Sequence, residues 1–184
     1  MIPDEKQALA LHRKLGSTEK VIQHCLTVAK ISRDLSESFC EKGISLDEKS
    51  VIAAGLLHDI GRSQVQTVKH GYVGAEIARK NGVDESVATI IMRHVGAGID
   101  REEALKYGLP PNYDYFPRTL EEKIVCFSDK VAGPQGEVLP LEHEIEKYKR
   151  KGLDYRRLVA LKKSLEDILG EDPEVAIHEK LDER

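Results

Sequence analysis

Four of the seven histidines in this 184-residue chain share a property. His24, His58, His70 and His94 each lie on, or at the end of, the apolar face of a helix that the sequence pattern predicts. His24 stands beside Cys25 and Val28, His94 one turn beyond Ile90 and Ile91, and His70 leads the face of Val73, Gly74, Ile77 and Ala78. Asp129 follows Val125 by four residues, which turns a carboxylate to the core side of its helix, and Asp59 follows His58 directly. A single such His reads as a hydrogen-bonded core residue, and a single such Asp as a cap or ion-pair partner. Together they read differently. Several buried imidazoles and carboxylates are each costly without a partner, and one shared divalent centre satisfies them all.

The elements that must position these groups are helical nearly throughout. Asp4 caps a first helix through Leu15, ended by Gly16, and a longer helix runs from about Ser17 to Lys42. Ser45 with Glu48 reads as a capping box opening a helix through His58, and Gly61 lets the backbone turn away. Neighbouring helical side chains diverge by about 100°, so His58 and Asp59 can serve one centre only if the helix end abuts it. Helices over 70–80 and 84–94 follow. Asp100 with Glu103, and Thr119 with Glu122, offer two further capping boxes, the second opening a helix through Val131. Residues 108–118, with three prolines and three of the nine aromatics, form a loop, as do 133–140. Helices near 141–151 and 154–169 and a short piece begun by Pro173 complete an all-α class without repeats or alternating strand patterns. The expected organisation is a metal-binding helical core over 1–135, with a C-terminal helical extension over 136–184 packed on it.

Composition narrows the field. Lys and Arg number 28 against 32 Asp and Glu, a net charge of −4, and the pI is near 6.0. Forty per cent hydrophobic and 33% charged residues make a folded chain. No apolar stretch approaches the roughly 20 residues that span a bilayer, and no signal segment opens the chain, so a cytoplasmic protein without a membrane partner is expected. The acidic balance argues against a dedicated nucleic-acid binder. Cys25, Cys40 and Cys126 never reach CxxC spacing and read as reduced thiols, Cys25 and Cys126 in the core.

The run Leu56-Leu57-His58-Asp59-Ile60-Gly61-Arg62, preceded by His24 and followed by His70, His94 and Ser128-Asp129-Lys130-Val131, resembles the HD superfamily of metal-dependent phosphohydrolases. The match is to its small single-domain form with a His-Asp-Ile-Gly doublet, and it spans about residues 18–133. The resemblance implies an HD-type helical bundle. It also implies that His24, His58, Asp59 and Asp129 hold one metal, and Asp59, His70 and His94 a second, with Asp59 bridging. Imidazole and carboxylate without thiolate favour Fe, Mn, Ni, Co or Zn over a thiolate-type structural zinc site. Such a pair activates a water for attack on phosphorus, with Asp59, His70, His94 and Lys130 as the catalytic set. Arg62 and Lys130, next to ligands, are the candidates for neutralising phosphate oxygens. Lys69 and Arg93 read as a solvated face.

The expected reaction is hydrolysis of a phosphate ester or anhydride on a small phosphorylated substrate, in all expectation a nucleotide. Ile60-Gly61-Arg62 lacks the acidic pair expected in alarmone hydrolases, and Val95-Gly96 lacks the elements of cyclic-di-GMP phosphodiesterases. The Ala-Gly-Leu-Leu-His-Asp-Ile run looks most like enzymes that cleave dinucleoside tetraphosphates, although Val95-Gly96-Ala97-Gly98 and Ala132-Gly133-Pro134 depart from that pattern. Two alternatives stay open: a non-catalytic metal- or nucleotide-binding regulatory module, and an RNA-processing accessory acting on terminal or cyclic phosphates. Tyr113, Tyr115 and Phe116 read as anchors of their loop, with base stacking as the functional alternative. The C-terminal basic run reads as a solvated face. The apolar residues Tyr148, Leu153, Leu158, Leu161, Leu165 and Leu169 pack on the core or on a second subunit, which leaves a homodimer open. His12, His143 and His178 read as surface residues.

Overall fold

The computed structural model describes residues 1–182, and among them every regular element is helical. α1 (Glu5–Lys14) starts at Asp4, whose carboxylate accepts from the Gln7 amide at 2.8 Å while the Gln7 side chain returns to the Asp4 amide. α2 (Glu19–Glu41) is capped by Thr18. α3 (Glu48–Leu57) is capped by Asp47 and not by Ser45, because the Asp47 carboxylate reaches both the Ser50 amide at 3.1 Å and the Ser50 hydroxyl at 2.6 Å. An acid at that position also meets the positive end of the helix. The boxes at Asp100/Glu103 and Thr119/Glu122 form as their spacing predicts, opening α6 (Arg101–Tyr107) and α7 (Leu120–Val131).

Between these lie α4 (His70–Lys80) and α5 (Glu85–Arg93), which pack on each other with α5 against α3, while α2, α3 and α7 pack on one another. Val28, Leu35 and Phe39 of α2, Val51 and Leu57 of α3, Ile91 of α5 and Phe127 of α7 are fully buried at their junction. That dry centre is the scaffold for the ligating side chains. The C-terminal helices α8 (Leu141–Arg150), α9 (Arg156–Leu169) and α10 (Pro173–Asp182) pack on α7, on a 3-10 turn at Val95–Ala97, and on α2. Leu158, Leu161, Leu165 and Leu169 are buried within this chain, whereas Leu153 stays exposed. The piece begun by Pro173 is a full helix of ten residues. No described helix is long and apolar enough to cross a membrane.

A second expectation is overturned here. His12 is not a surface residue but wholly buried. It follows Ala8 by one turn on the inner face of α1, and both ring nitrogens are used: Nδ1 with the Ser17 hydroxyl and Nε2 with the Leu56 carbonyl, each at 2.8 Å.

Candidate metal centre

From Val51 onward α3 is apolar on all sides, and it ends at Leu57, so its C-terminus projects His58 and Asp59 into the interior. Asp59 departs from helical geometry and opens a 3-10 turn over Ile60–Ser63. His70 is the first residue of α4, His94 follows the last residue of α5, His24 lies on α2, and Asp129 lies in the last turn of α7. Three of the four histidines therefore stand at helix ends. There they take a common posture: Nδ1 donates to the carbonyl three residues back, Gly55 for His58 at 2.9 Å, Thr67 for His70 at 2.7 Å and Ile91 for His94 at 2.7 Å. A neutral imidazole that donates from Nδ1 carries its lone pair on Nε2, and the three Nε2 atoms face one centre.

The structure brings all six expected ligands together. His24 Nε2 is 2.9 Å and His58 Nε2 3.5 Å from one oxygen of Asp129. His70 Nε2 is 3.2 Å and His94 Nε2 3.7 Å from Oδ1 of Asp59. The second oxygen of each carboxylate is held by a cation: Arg62 Nε lies 2.6 Å from Asp59 Oδ2, and Lys130 bonds Asp129 Oδ2. Donor atoms of His24, His58 and Asp59 lie within 4.8 Å of one another, as do those of Asp59, His70 and His94. A third grouping within the same span, His58 with His94 and Asp129, links the two sets and was not foreseen from the sequence.

Electrostatics and satisfaction both fit a cation. Burial works against charge on Asp59 and Asp129, yet the His58 ring, and for Asp129 the Lys130 ammonium, hold both carboxyls far below the usual range. Burial lowers His94 to about 4, helped by the neighbouring His58 and His70, so its ring is neutral at neutral pH. Burial also opposes charge on His58, but Cys25, Asp59 and Asp129 outweigh it and raise that ring's pKa. His58 Nε2 and Asp59 Oδ1 are buried without a hydrogen-bond partner among the described residues. His70 Nε2 and His94 Nε2, both acceptors once Nδ1 carries the proton, face each other at 3.0 Å. Opposed lone pairs repel, and a proton or a metal ion between them removes the conflict.

A half-open cleft of about 370 Å3 leads down to His70, His94 and Asp129. Arg62 and Lys130 line it as the sequence predicts. The loop at 108–118 contributes nothing to its walls. Tyr115 is buried with its hydroxyl donating to the Pro110 carbonyl at 3.0 Å, and Tyr113 leans on Tyr72, so these aromatics anchor their own loop. Arg93 bonds Glu122 and the Asp114 carbonyl, each at 2.9 Å, which ties that loop to α7 and is no solvated face. The far wall instead comes from the C-terminal helices, through Lys147, Tyr148, Lys151 and Arg157. Part of the basic run thus faces the site. The signal was present: Glu144, Lys147, Tyr148 and Lys151 stand at i, i+3, i+4 and i+7, one face of a helix. His24 opens to a separate groove beside Gln23, Thr27 and residues 133–136.

Comparison with known proteins agrees with this arrangement. Residues 21–133 match the family profile described as the HD domain. An uncharacterised protein of Methanocaldococcus jannaschii is 42% identical over 168 residues, 89% of this chain and 98% of that protein. The tRNA (cytidine(56)-2'-O)-methyltransferase of Thermoplasma volcanium is 40% identical over 175 residues, 94% of this chain, which spans only 49% of that enzyme. The crystal structure of the HD domain of the L. monocytogenes phosphodiesterase PgpH in complex with cyclic-di-AMP has the same fold. Its TM-score is 0.55 at 18% identity, covering 87% of this chain and 93% of that one. The ordered His, His-Asp, His, His and Asp set lies wholly inside the matched segment, and this chain belongs to the HD-domain family.

Proposed function

We propose that the chain is a metal-dependent phosphohydrolase that cleaves a phosphate ester or anhydride of a nucleotide. The observation that carries this reading is the convergence of the His58, His70 and His94 Nε2 atoms with two ionised carboxylates, reached from a cleft lined by His70, His94 and Asp129, with a cation gripping each carboxylate. His24, His58, Asp59 and Asp129 would hold one divalent ion, and Asp59, His70 and His94 another, drawn from Fe, Mn, Ni, Co or Zn. Bound there, the ions would supply positive charge for phosphate oxygens and lower the pKa of a water.

The chain's own groups account for the rest. Asp59 and Asp129 are balanced by Arg62 and Lys130, so the protein's contribution is close to neutral and the floor does not repel an anionic phosphate. Lys130 stays protonated: burial opposes its charge, but Asp129 raises its pKa well above the ordinary lysine value. Its ammonium, like the Arg62 guanidinium, can donate to phosphate oxygens as charge moves onto them. His70 and His94 keep fixed tautomers through Thr67 and Ile91, so no side-chain reorganisation is needed when substrate arrives. Attack by a water oxygen makes one P–O bond, breaks the bond to the leaving oxygen, and sends the water's proton to solvent or to that oxygen.

The test is phosphate or nucleotide release by metal-reconstituted protein, assayed anaerobically with Fe2+, Mn2+ or Ni2+, with Asp59→Ala in parallel. The panel holds mononucleotides, dinucleoside polyphosphates, cyclic dinucleotides and 2′,3′-cyclic nucleotides. Turnover and metal content that both vanish in Asp59→Ala support the reading. Bound metal without turnover on any substrate would replace it with a binding module.

The half-length match to a tRNA methyltransferase favours a second reading, hydrolysis of a phosphate at an RNA end. Release from RNA oligomers carrying 3′-phosphate or 2′,3′-cyclic phosphate, with none from free nucleotides, would select it.

A further inference from the structure

The geometry points to a second phosphate-binding subsite on the far wall of the cleft, with Lys151 as its ionic anchor and Tyr148 as a hydrogen-bond donor. The substrate class is then a mononucleotide-sized compound bearing a second phosphate away from the one that is cleaved. This inference rests on the phosphohydrolase reading above and deepens it.

The cations of the cleft divide by what they already bind. Arg62 and Lys130, at the floor, are engaged with the ligand carboxylates. On the rim, Lys147 is paired with Glu144 at 2.9 Å, and Arg157 with Asp100 at 2.9 Å and Glu103 at 2.5 Å. Lys151 is the exception: its ammonium lines the cleft without a hydrogen-bond or ion-pair partner among the described residues. Tyr148 lies one turn before it on the same face of α8. Its ring is half-buried, and its hydroxyl likewise has no hydrogen-bond partner among the described residues. That hydroxyl sits over the backbone of Gly96, where an added Cβ would be 3.6 Å away. Burial raises the Tyr148 pKa further above 10, which keeps the proton available for donation. A half-buried hydroxyl and a free ammonium on one wall, both open to the same cleft, form a donor pair without an acceptor.

Size and charge choose the acceptor. About 370 Å3 lies at the low end of the range for small-molecule pockets, which suits one nucleotide unit. Glu103, Glu144 and Asp154 also line the cleft, each already paired with a basic side chain, so among the described residues this wall offers an anion no free cation beyond Lys151. A compact second phosphate needs only that one ammonium and the Tyr148 hydroxyl. A phosphate accepts from both donors at once, and Lys serves it as a point charge.

The experiment is equilibrium dialysis of adenosine 3′,5′-bisphosphate against adenosine 5′-monophosphate on the Mn2+-loaded full chain, with phosphate release followed in the same samples. Wild type should hold the bisphosphate about tenfold more tightly, the value of one charge-assisted contact. Lys151→Gln should remove most of that preference, Tyr148→Phe part of it, and Lys151→Arg should restore it. Lys163→Gln deletes an equal charge outside the cleft and should leave the preference intact. Lys151 is exposed, so its replacement does not threaten folding. Equal affinity for both probes in wild type, or a preference that survives Lys151→Gln, overturns the subsite. A Lys151-dependent preference with no phosphate release from any substrate would sustain the subsite and fail the hydrolase reading. Release without the preference would do the reverse.

Discussion

Gly61 is the position where one added atom should disturb the centre most. It lies in the 3-10 turn two residues after Asp59, and a Cβ built there would stand 2.0 Å from the His70 carbonyl oxygen, 2.7 Å from the Gly74 amide and 2.9 Å from the His70 carbonyl carbon. Real Cβ atoms essentially never come closer than 3.0 Å to such neighbours. Gly61→Ala must therefore move the turn and the start of α4 apart by about 1 Å, the shortfall of the closest contact. Both sides of the clash are backbone, so no rotamer change relieves it. The displacement falls on the 3.2 Å approach of His70 Nε2 to Asp59 Oδ1.

Overpacking of this kind costs about 1–3 kcal/mol, and a backbone clash belongs at the upper end. At about 2–4 °C per kcal/mol for a chain of this size, the metal-free protein should melt roughly 6–12 °C lower. A misplaced ligand should weaken metal binding by about 10–100-fold, and a 1 Å error at the reacting groups can cost turnover on the order of 100-fold. Calorimetry of chelated and metal-loaded protein separates the two effects. Gly16→Ala is the control. Gly16 has φ +72° with nothing near its missing Cβ, so that variant carries backbone strain of about 1–2 kcal/mol but leaves the centre alone. If Gly61→Ala binds metal as wild type does, and melts no lower than Gly16→Ala, the close-approach reasoning is wrong.

Three other perturbations separate structure from chemistry. His12→Ala strips the Leu56 carbonyl and the Ser17 hydroxyl of their buried partner, at about 1–3 kcal/mol. A melting temperature lowered by roughly 2–12 °C is expected, with metal content unchanged, and a loss of metal instead would place His12 in the centre. Lys130→Met should leave metal bound while turnover falls about 100-fold, as for other lost charge-stabilising donors; wild-type turnover in that variant would remove Lys130 from the catalytic set. A chelator should lower the melting temperature of the wild type. Metal at 100 times its dissociation constant contributes about 2.7 kcal/mol, or roughly 5–11 °C, so indifference to Mn2+, Fe2+, Ni2+, Co2+ and Zn2+ alike would refute a built metal site.

Features encoded by neighbours within one helical turn were legible in the sequence. The boxes at Asp100/Glu103 and Thr119/Glu122 formed as spaced, because a cap depends on three or four residues and little else. Ser45 failed as a cap because Asp47 competes locally and offers two acceptor oxygens. The convergence of His24, His58, Asp59, His70, His94 and Asp129 was foreseeable because helical periodicity shows which polar groups point inward. What faces them is a tertiary matter. Gly61 was read as a place for the backbone to turn, whereas its need is contact with α4, nine to thirteen residues on. The far wall of the cleft was missed for the same reason: the C-terminal basic run reads as a solvated face along the sequence, but Lys147, Tyr148 and Lys151 border the site in space.

His12 shows where reading polarity off a helical face stops working, and why the centre nonetheless has a local signature. Like the proposed ligands His58, His70 and His94, His12 is a buried imidazole. Its Nε2 is used by the Leu56 carbonyl and its Nδ1 by Ser17, so no lone pair remains for a metal. In His58 and His94 the Nδ1 proton goes to a carbonyl in the last turn of their own helices, Gly55 and Ile91. Such carbonyls lack the amide partner that a continuing helix would supply. One hydrogen bond therefore satisfies an orphan carbonyl, fixes the tautomer and turns Nε2 outward. Placing ligands at helix ends follows from this economy: the backbone's need for a donor and the metal's need for a lone pair are met by opposite sides of one ring. A structural histidine such as His12 has both ring nitrogens consumed by the chain, whereas His58, His70 and His94, the proposed ligands, give the chain only Nδ1.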